Sequence, residues 1–197
     1  LSVSTLLYLA RDPQELALRL RRPMPNHIDK YARRGTDFHL WLENHFQNPS
    51  LISMDDLFNQ STPVITEEFA DAPLEKLRQA WLASEWANKQ PVGVEVGFET
   101  MIDNTLIRGR IDAVYQNGDQ FEVVDWKTGK VKDGDDLATA AIQLAMYRLA
   151  YSKLKNVPIE KISAAFHYVA DNQTVRPADI LDEQALITLI SKVPIEI

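Results

Sequence analysis

The sequence contains no cysteine among its 197 residues. That removes disulfides, cysteine-ligated zinc, iron-sulfur clusters and thiol nucleophiles, and it fits a reducing, cytoplasmic setting. Long apolar runs are also missing. No stretch approaches the roughly 18 residues a membrane-spanning helix needs, and no signal peptide opens the chain, so a soluble protein with no membrane partner is expected. The first residue is Leu1 rather than methionine, and the chain reads as a fragment of something longer. An excess of positive charge is lacking as well. The formal net charge is -7, which argues against a domain that holds nucleic acid by electrostatics alone. The charge is uneven, however. Residues 1–34 carry seven basic side chains (Arg11, Arg19, Arg21, Arg22, Lys30, Arg33, Arg34) against three acidic ones (Asp12, Glu15, Asp29), which gives +4 there and leaves -11 for the remainder. A basic entrance beside an acidic, metal-demanding interior and a plain charged helical face account for this equally well.

Other absences narrow the chemistry. No G-x-x-x-x-G-K-[ST] phosphate loop occurs, and Gly129-Lys130 is not one, so no ATP site is expected in these residues. The four histidines (His27, His39, His45, His167) show no H-E-x-x-H spacing, and no serine or threonine sits on a nucleophile elbow. There is no internal repeat and no low-complexity tract. With 45% hydrophobic and 25% charged residues, the chain is long enough for one well-buried domain.

Along the chain, Ser4 to Leu9 reads as a short helix. Asp12-Pro13 caps a second over Pro13–Arg21, and Arg22-Pro23-Met24-Pro25-Asn26 breaks it. A third helix is expected from about His27 to Phe46, with Phe38, Trp41, Leu42 and Phe46 on its apolar side and His39 and Glu43 together one turn apart. Residues 47–66 read as a loop, and helical periodicity returns over Pro73–Ala87. The texture then changes. Three β-rich stretches, 92–102, 105–116 and 120–127, are separated by Asp103-Asn104 and Asn117-Gly118-Asp119, which are hairpin signals. A helix over 135–151, a strand over 161–170, a short returning strand over 173–176 and a helix over 182–192 complete the order. This predicts a mixed α/β or α+β layer: a mostly helical part over 1–90, a β-β-β-α-β core over 91–180 and a closing helix over 181–197. Trp41, Trp81 and Trp86 lie at helical spacing and are read as core rather than as stacking platforms.

The chemistry-bearing stretch is Gly109-Arg110-Ile111-Asp112, followed by Val123-Val124-Asp125-Trp126-Lys127-Thr128-Gly129. In an extended strand, alternate residues share a face, so Asp125 and Lys127 point one way and Trp126 the other. Two acids on neighbouring strands with an amine beside them suit an oxygen-ligated divalent cation and an anionic substrate. The plainer alternative is a solvated strand edge carrying a surface ion pair.

Four motifs in order carry a resemblance. Arg34-Gly35-Thr36-Asp37-Phe38-His39-Leu40-Trp41-Leu42-Glu43, Gly109-Arg110-Ile111-Asp112, Val124-Asp125-Trp126-Lys127-Thr128-Gly129 and Gln143-x-x-x-Tyr147 resemble those of the PD-(D/E)XK nuclease superfamily. More narrowly, they resemble the RecB-type nuclease domain at the C-terminus of UvrD/Rep-like helicases. The resemblance implies a restriction-endonuclease-like core with a central mixed sheet, and a nuclease acting on DNA, single-stranded or at duplex ends. It implies Mg²⁺ or Mn²⁺ held by His39, Asp112, Asp125 and the backbone carbonyl of Trp126. Lys127 would orient the attacking water or steady charge on the phosphate. Gln143 and Tyr147 would contact DNA and support the site, with Arg34 beside them. Glu43 would be either a partner of His39 or a solvent-facing acid. A helicase motor domain upstream in the same protein is implied as partner. Isoleucine stands at position 111, where the family's nominal proline falls, and the iron-sulfur cysteines of several relatives are absent. A catalytically silent DNA-binding or scaffolding module on the same fold is the alternative reading.

Overall fold

The computed structural model describes residues 1–12, 14, 18, 30–47 and 72–191. Apart from Gln14 and Leu18, which are helical, the expected helix over 13–21 lies outside these, as do its break, the start of the third expected helix over 27–29, the loop over 48–66 and the last residues of the closing helix. In chain order the elements are α1 (Val3–Arg11), α2 (Lys30–Gln47), α3 (Ala72–Leu82), β1 (Gly93–Ile102), β2 (Thr105–Asn117), β3 (Gln120–Lys127), α4 (Gly134–Lys155), β4 (Ile162–Tyr168), β5 (Gln173–Val175) and α5 (Glu183–Ile190). The strands form one five-stranded sheet in the order β1-β2-β3-β4-β5. Among the described residues, no helix is long and apolar enough to cross a membrane.

Local chemistry explains the meander. Ile102 pairs with Thr105 and Asn117 with Gln120, and each two-residue turn holds a residue in the left-handed region, Asp103 at φ 52° and Gly118 at φ 62°. After β3 the chain crosses over through α4 and returns parallel, with Asp125 opposite Phe166 and Lys127 opposite Tyr168. A parallel pair needs such a crossover, and here it lays α4 across the sheet beneath the chemistry-bearing strands. The mixed sheet expected from the sequence is present, and α4 and α3 differ from the expected spans only at their ends.

Two apolar layers sandwich the sheet. One joins Leu6 and Leu9 of α1, Leu144, Leu149 and Tyr151 of α4, and Leu186 of α5 to strand residues such as Phe98, Ile107, Ile111 and Phe166. The other joins Phe38, Leu42 and Phe46 of α2 to Trp81, Trp86, Tyr115 and Trp126. Trp81 and Trp86 are fully buried, as the core reading expects. His167 is buried in the second layer, with Nδ1 3.0 Å from Thr174 Oγ1, and desolvation lowers its pKa to about 4. It is a neutral core histidine rather than a ligand.

Gly109 has a packing role. A Cβ there would lie 2.5 Å from Phe98 Cζ and 2.8 Å from Val3 Cγ2, because α1 and the β1 ring close over the strand. Gly109→Ala is therefore expected to destabilise the fold by about 1–3 kcal/mol through overpacking. Urea denaturation measures it, and an unchanged midpoint would show that α1 does not seat there.

Candidate active site

The site forms where the sheet splits. The β2–β3 ladder runs from Asn117↔Gln120 to Ala113↔Val124 and then stops. The next pair in register would be Asp112 with Asp125. There the strands part, and the Asp112 side chain replaces the ladder, its Oδ2 accepting the Trp126 N–H at 2.8 Å. Two acids are thus held across a fork, an arrangement that costs energy when both are charged.

The same level carries a second irregularity. Ile107 and Ile111 belong to the α1/α4 layer, whereas Ala113 and Tyr115, of the same parity, belong to the tryptophan layer. The faces of β2 therefore exchange at Asp112. On β1 they exchange at Glu95: Phe98 and Val96 pack with the first layer and Val94 with the second. Glu95 takes φ 51°, a conformation that L side chains avoid and that proteins tend to reserve for functional positions. The flanking pairs Val94↔Ala113 and Val96↔Ile111 set Glu95 opposite Asp112.

Side chains from both layers meet at this fork. From α2, His39 brings Nδ1 to 3.5 Å from Glu95 Oε1 and 3.7 Å from Asp112 Oδ2. From β3, Asp125 is buried and its Oδ2 lies 2.6 Å from Lys127 Nζ. From α4, Gln143 Oε1 accepts from Lys127 Nζ at 2.9 Å, and Gln143 Nε2 donates to the Tyr147 hydroxyl at 2.8 Å. The Lys127 ammonium also stands 5.2 Å over the Phe166 ring. A cavity of about 440 Å³ opens on the α2 side, lined by Thr36, His39, Glu95, Arg110 and Asp112 among others.

The electrostatics call for a cation. Burial and then the Asp125 charge push the Asp112 pKa well above the carboxylate range. Burial works against charge on His39, but its Glu95 hydrogen bond and the charges of Asp112 and Asp125 prevail and raise its pKa to about 8. Burial likewise opposes charge on Lys127 and is outweighed chiefly by Asp125, so its pKa is raised and it remains an ammonium. Glu95 is held below its ordinary value, since the His39 hydrogen bond and charge overcome its own desolvation. Three carboxylates crowd here against His39, Lys127 and the solvent-side Arg110, and an added cation would favour the ionised form of Asp112.

One ligand atom each from His39, Glu95 and Asp112 lies within 4.8 Å of the others. Two carboxylates and one imidazole at an open mouth fit a hard divalent cation such as Mg²⁺ or Mn²⁺, the imidazole favouring Mn²⁺.

Of the residues singled out in the sequence, His39, Asp112, Asp125, Lys127 and Gln143 converge on the fork. Trp126 sends its indole into the tryptophan layer and its N–H to Asp112. Tyr147 is only 4% exposed and packs edge-on against Phe98. Its hydroxyl lies behind Gln143, from which it accepts. Glu43 accepts from Gln47 Nε2 at 3.0 Å, one turn along its own helix, while the partners of His39 are Glu95 and Asp112. Arg34 is half-buried on α2, five residues before His39. Glu95 is the residue that the sequence motifs miss, although a signal for it is present. Counting seven residues back along each strand from the Ile102↔Thr105 pair at the Asp103-Asn104 turn sets it opposite Asp112.

The family model described as "PD-(D/E)XK nuclease superfamily" matches residues 1–193. No curated protein matches the chain in sequence. Among solved structures, a "Putative exonuclease" from Eubacterium rectale superposes with a TM-score of 0.60 at 14% identity, covering 98% of this chain and 78% of that one. A structure described as SSO0001 is similar at a TM-score of 0.46 and 17% identity, covering 98% and 73% respectively. The first likeness is one of fold.

Proposed function

The chain belongs to the PD-(D/E)XK nuclease superfamily, and on that basis we propose that it is a divalent-metal-dependent deoxyribonuclease domain. The observation that carries the reading is the fork itself: His39, Glu95 and Asp112 on one side, and Asp125 and Lys127 ion-paired on the other. Hydrolysis of a phosphodiester adds one water. Its oxygen bonds to phosphorus, the bond to the leaving sugar oxygen breaks, and that oxygen ends protonated. A cation held by His39, Glu95 and Asp112, with Asp125 across the fork, would supply Lewis acidity and a more acidic bound water. Lys127 is kept positive by Asp125 and oriented by Gln143, so it steadies charge on the phosphate rather than removing a proton. Tyr147 holds Gln143, and thereby Lys127, in place.

We further place the domain downstream of an ATP-dependent helicase motor in the same protein, in DNA repair or recombination. The support for this placement is the order of the four motifs and the net charge of -7, which suits a domain to which DNA is delivered.

The test is metal removal followed across pH. His39 is raised from 6.5 to about 8, so its contribution to stability is complete below pH 6.5 and is lost as pH rises through about 8. A carboxyl raised by burial, as in Asp112, acts in the same direction. The metal-free protein should therefore lose thermal stability from about pH 4, where Asp112 ionises in the unfolded chain, to about pH 8.5, most steeply above pH 6.5 where His39 adds its share. A cation prefers ionised Asp112 and neutral His39, so the stabilisation by Mn²⁺ should grow over the same range. Cleavage of DNA should vanish in chelator. Cleavage that persists in chelator, or an Mn²⁺ shift independent of pH, would overturn the reading.

A further inference from the structure

We infer that Arg110 is a phosphate-positioning residue that is paired with Glu95 while the site lacks a cation, and is released to the DNA backbone when a cation takes that carboxylate. The inference rests on the nuclease reading above. Arg110 stands two residues before Asp112 on β2 and lines the same cavity of about 440 Å³. Its side chain is 65% exposed while that of Glu95 is 14% exposed, so the guanidinium reaches in from solvent to an inner carboxylate. That carboxylate is divided between two weakly held partners. Oε2 lies 3.4 Å from Arg110 Nη1 and Oε1 lies 3.5 Å from His39 Nδ1, both at or beyond the long end of hydrogen bonding.

A solvent-facing ion pair of this length is nearly neutral in energy, and a divalent cation competes for the same oxygens with twice the charge. Once Glu95 serves the cation, Arg110 is a guanidinium without its partner at the mouth of the site. Space is available beside it. Its cross-strand neighbour is Gly97, where an added Cβ would meet nothing within 4 Å. Arg108, two residues earlier on β2, provides the contrast: it is held at 2.9 Å by Glu99, directly opposite on β1, and away from the cavity. A planar fork of donors matches two phosphate oxygens, which a lysine at the same place would not.

The experiment uses the whole chain and the variants Arg110→Ala and Arg110→Lys. Mn²⁺ affinity is measured without DNA, and affinity for single-stranded DNA is measured in Ca²⁺ across a salt series. Arg110→Ala should bind DNA about tenfold more weakly, with a salt slope shallower by about 0.7, while its Mn²⁺ affinity is unchanged or tighter because a competitor for Glu95 is gone. Arg110→Lys should recover the salt slope and only part of the affinity. DNA affinity equal to wild type would overturn the inference alone. So would a parallel fall in Mn²⁺ affinity, since Arg110 would then merely brace Glu95. A wild-type protein that binds no single-stranded DNA in Ca²⁺ would overturn this inference, and one that also cleaves none in Mn²⁺ would remove the nuclease reading with it.

Discussion

Asp112→Asn is expected to make the metal-free protein more stable while reducing cleavage by about three orders of magnitude, as loss of a metal ligand and its charge implies. In the wild-type fold the Asp112 carboxyl is buried beside Asp125, which raises its pKa from 3.8 to about 8. Near neutral pH the folded state therefore either holds an unfavourable charge or takes up a proton, and both cost stability. Asparagine removes the charge and keeps an oxygen to accept the Trp126 N–H, which Asp112 takes at 2.8 Å. The gain should be on the order of 1–3 kcal/mol, less than the full shift implies, because His39 and Lys127 lose an attractive partner. Adding Mn²⁺ should reverse the ranking, since only the wild type then gains strongly. Chemical denaturation with and without Mn²⁺ measures this. A variant less stable than wild type in the absence of metal would show that Asp112 serves the fold rather than the chemistry.

Lys127→Met should lower both properties. The Asp125 side chain is 3% exposed, and the Lys127 ammonium at 2.6 Å is the cation beside it. Removing one partner of a buried pair costs about 3–5 kcal/mol, because the remaining charge has neither water nor a counter-ion. Cleavage should fall by about 10²–10³-fold, the range seen when one preorganised stabilising group is removed. Adding Asp125→Asn to Lys127→Met should restore most of the stability and none of the cleavage, because the buried charge is gone but the machinery is not rebuilt. A double variant as unstable as the single one would mean that Lys127 acts through its packing on Phe166 instead. The two variants are thus expected to move stability in opposite directions while both lower activity, which simple misfolding would not produce.

The residues of the fork differ in how legible they are in the sequence. Asp125 and Lys127 are two apart on one strand, so period-two alternation alone places them on one side, and in the fold they form an ion pair there. Asp112 and its strand are equally plain from the β-rich pattern and the two hairpin turns. His39 stands out through the motif it lies in; its distance from the strands along the chain conceals the contact. Glu95 is easily passed over, because an acid in an apolar strand reads as an ordinary solvent-facing position. Only the register from the Asp103-Asn104 turn and the left-handed backbone at Glu95 mark it. Helical spacing puts Tyr147 on the stripe of Gln143, where it lies, but says nothing of its burial, because spacing gives direction and not depth.

The sequence by itself determined the element types, the three-stranded meander with its two-residue turns, the crossover helix and the side on which Asp125 and Lys127 stand. These follow from short-range periodicity and turn chemistry, which act within a few residues. Only the tertiary structure decided that β2 and β3 part at Asp112 and Asp125, that both β1 and β2 exchange faces at Glu95 and Asp112, and that α2 sets His39 into the opening. The physical reason is that a strand's alternation fixes faces only while the strand stays regular. Where two apolar layers pull a sheet apart, the packing of the whole sandwich decides which polar side chains meet in the gap.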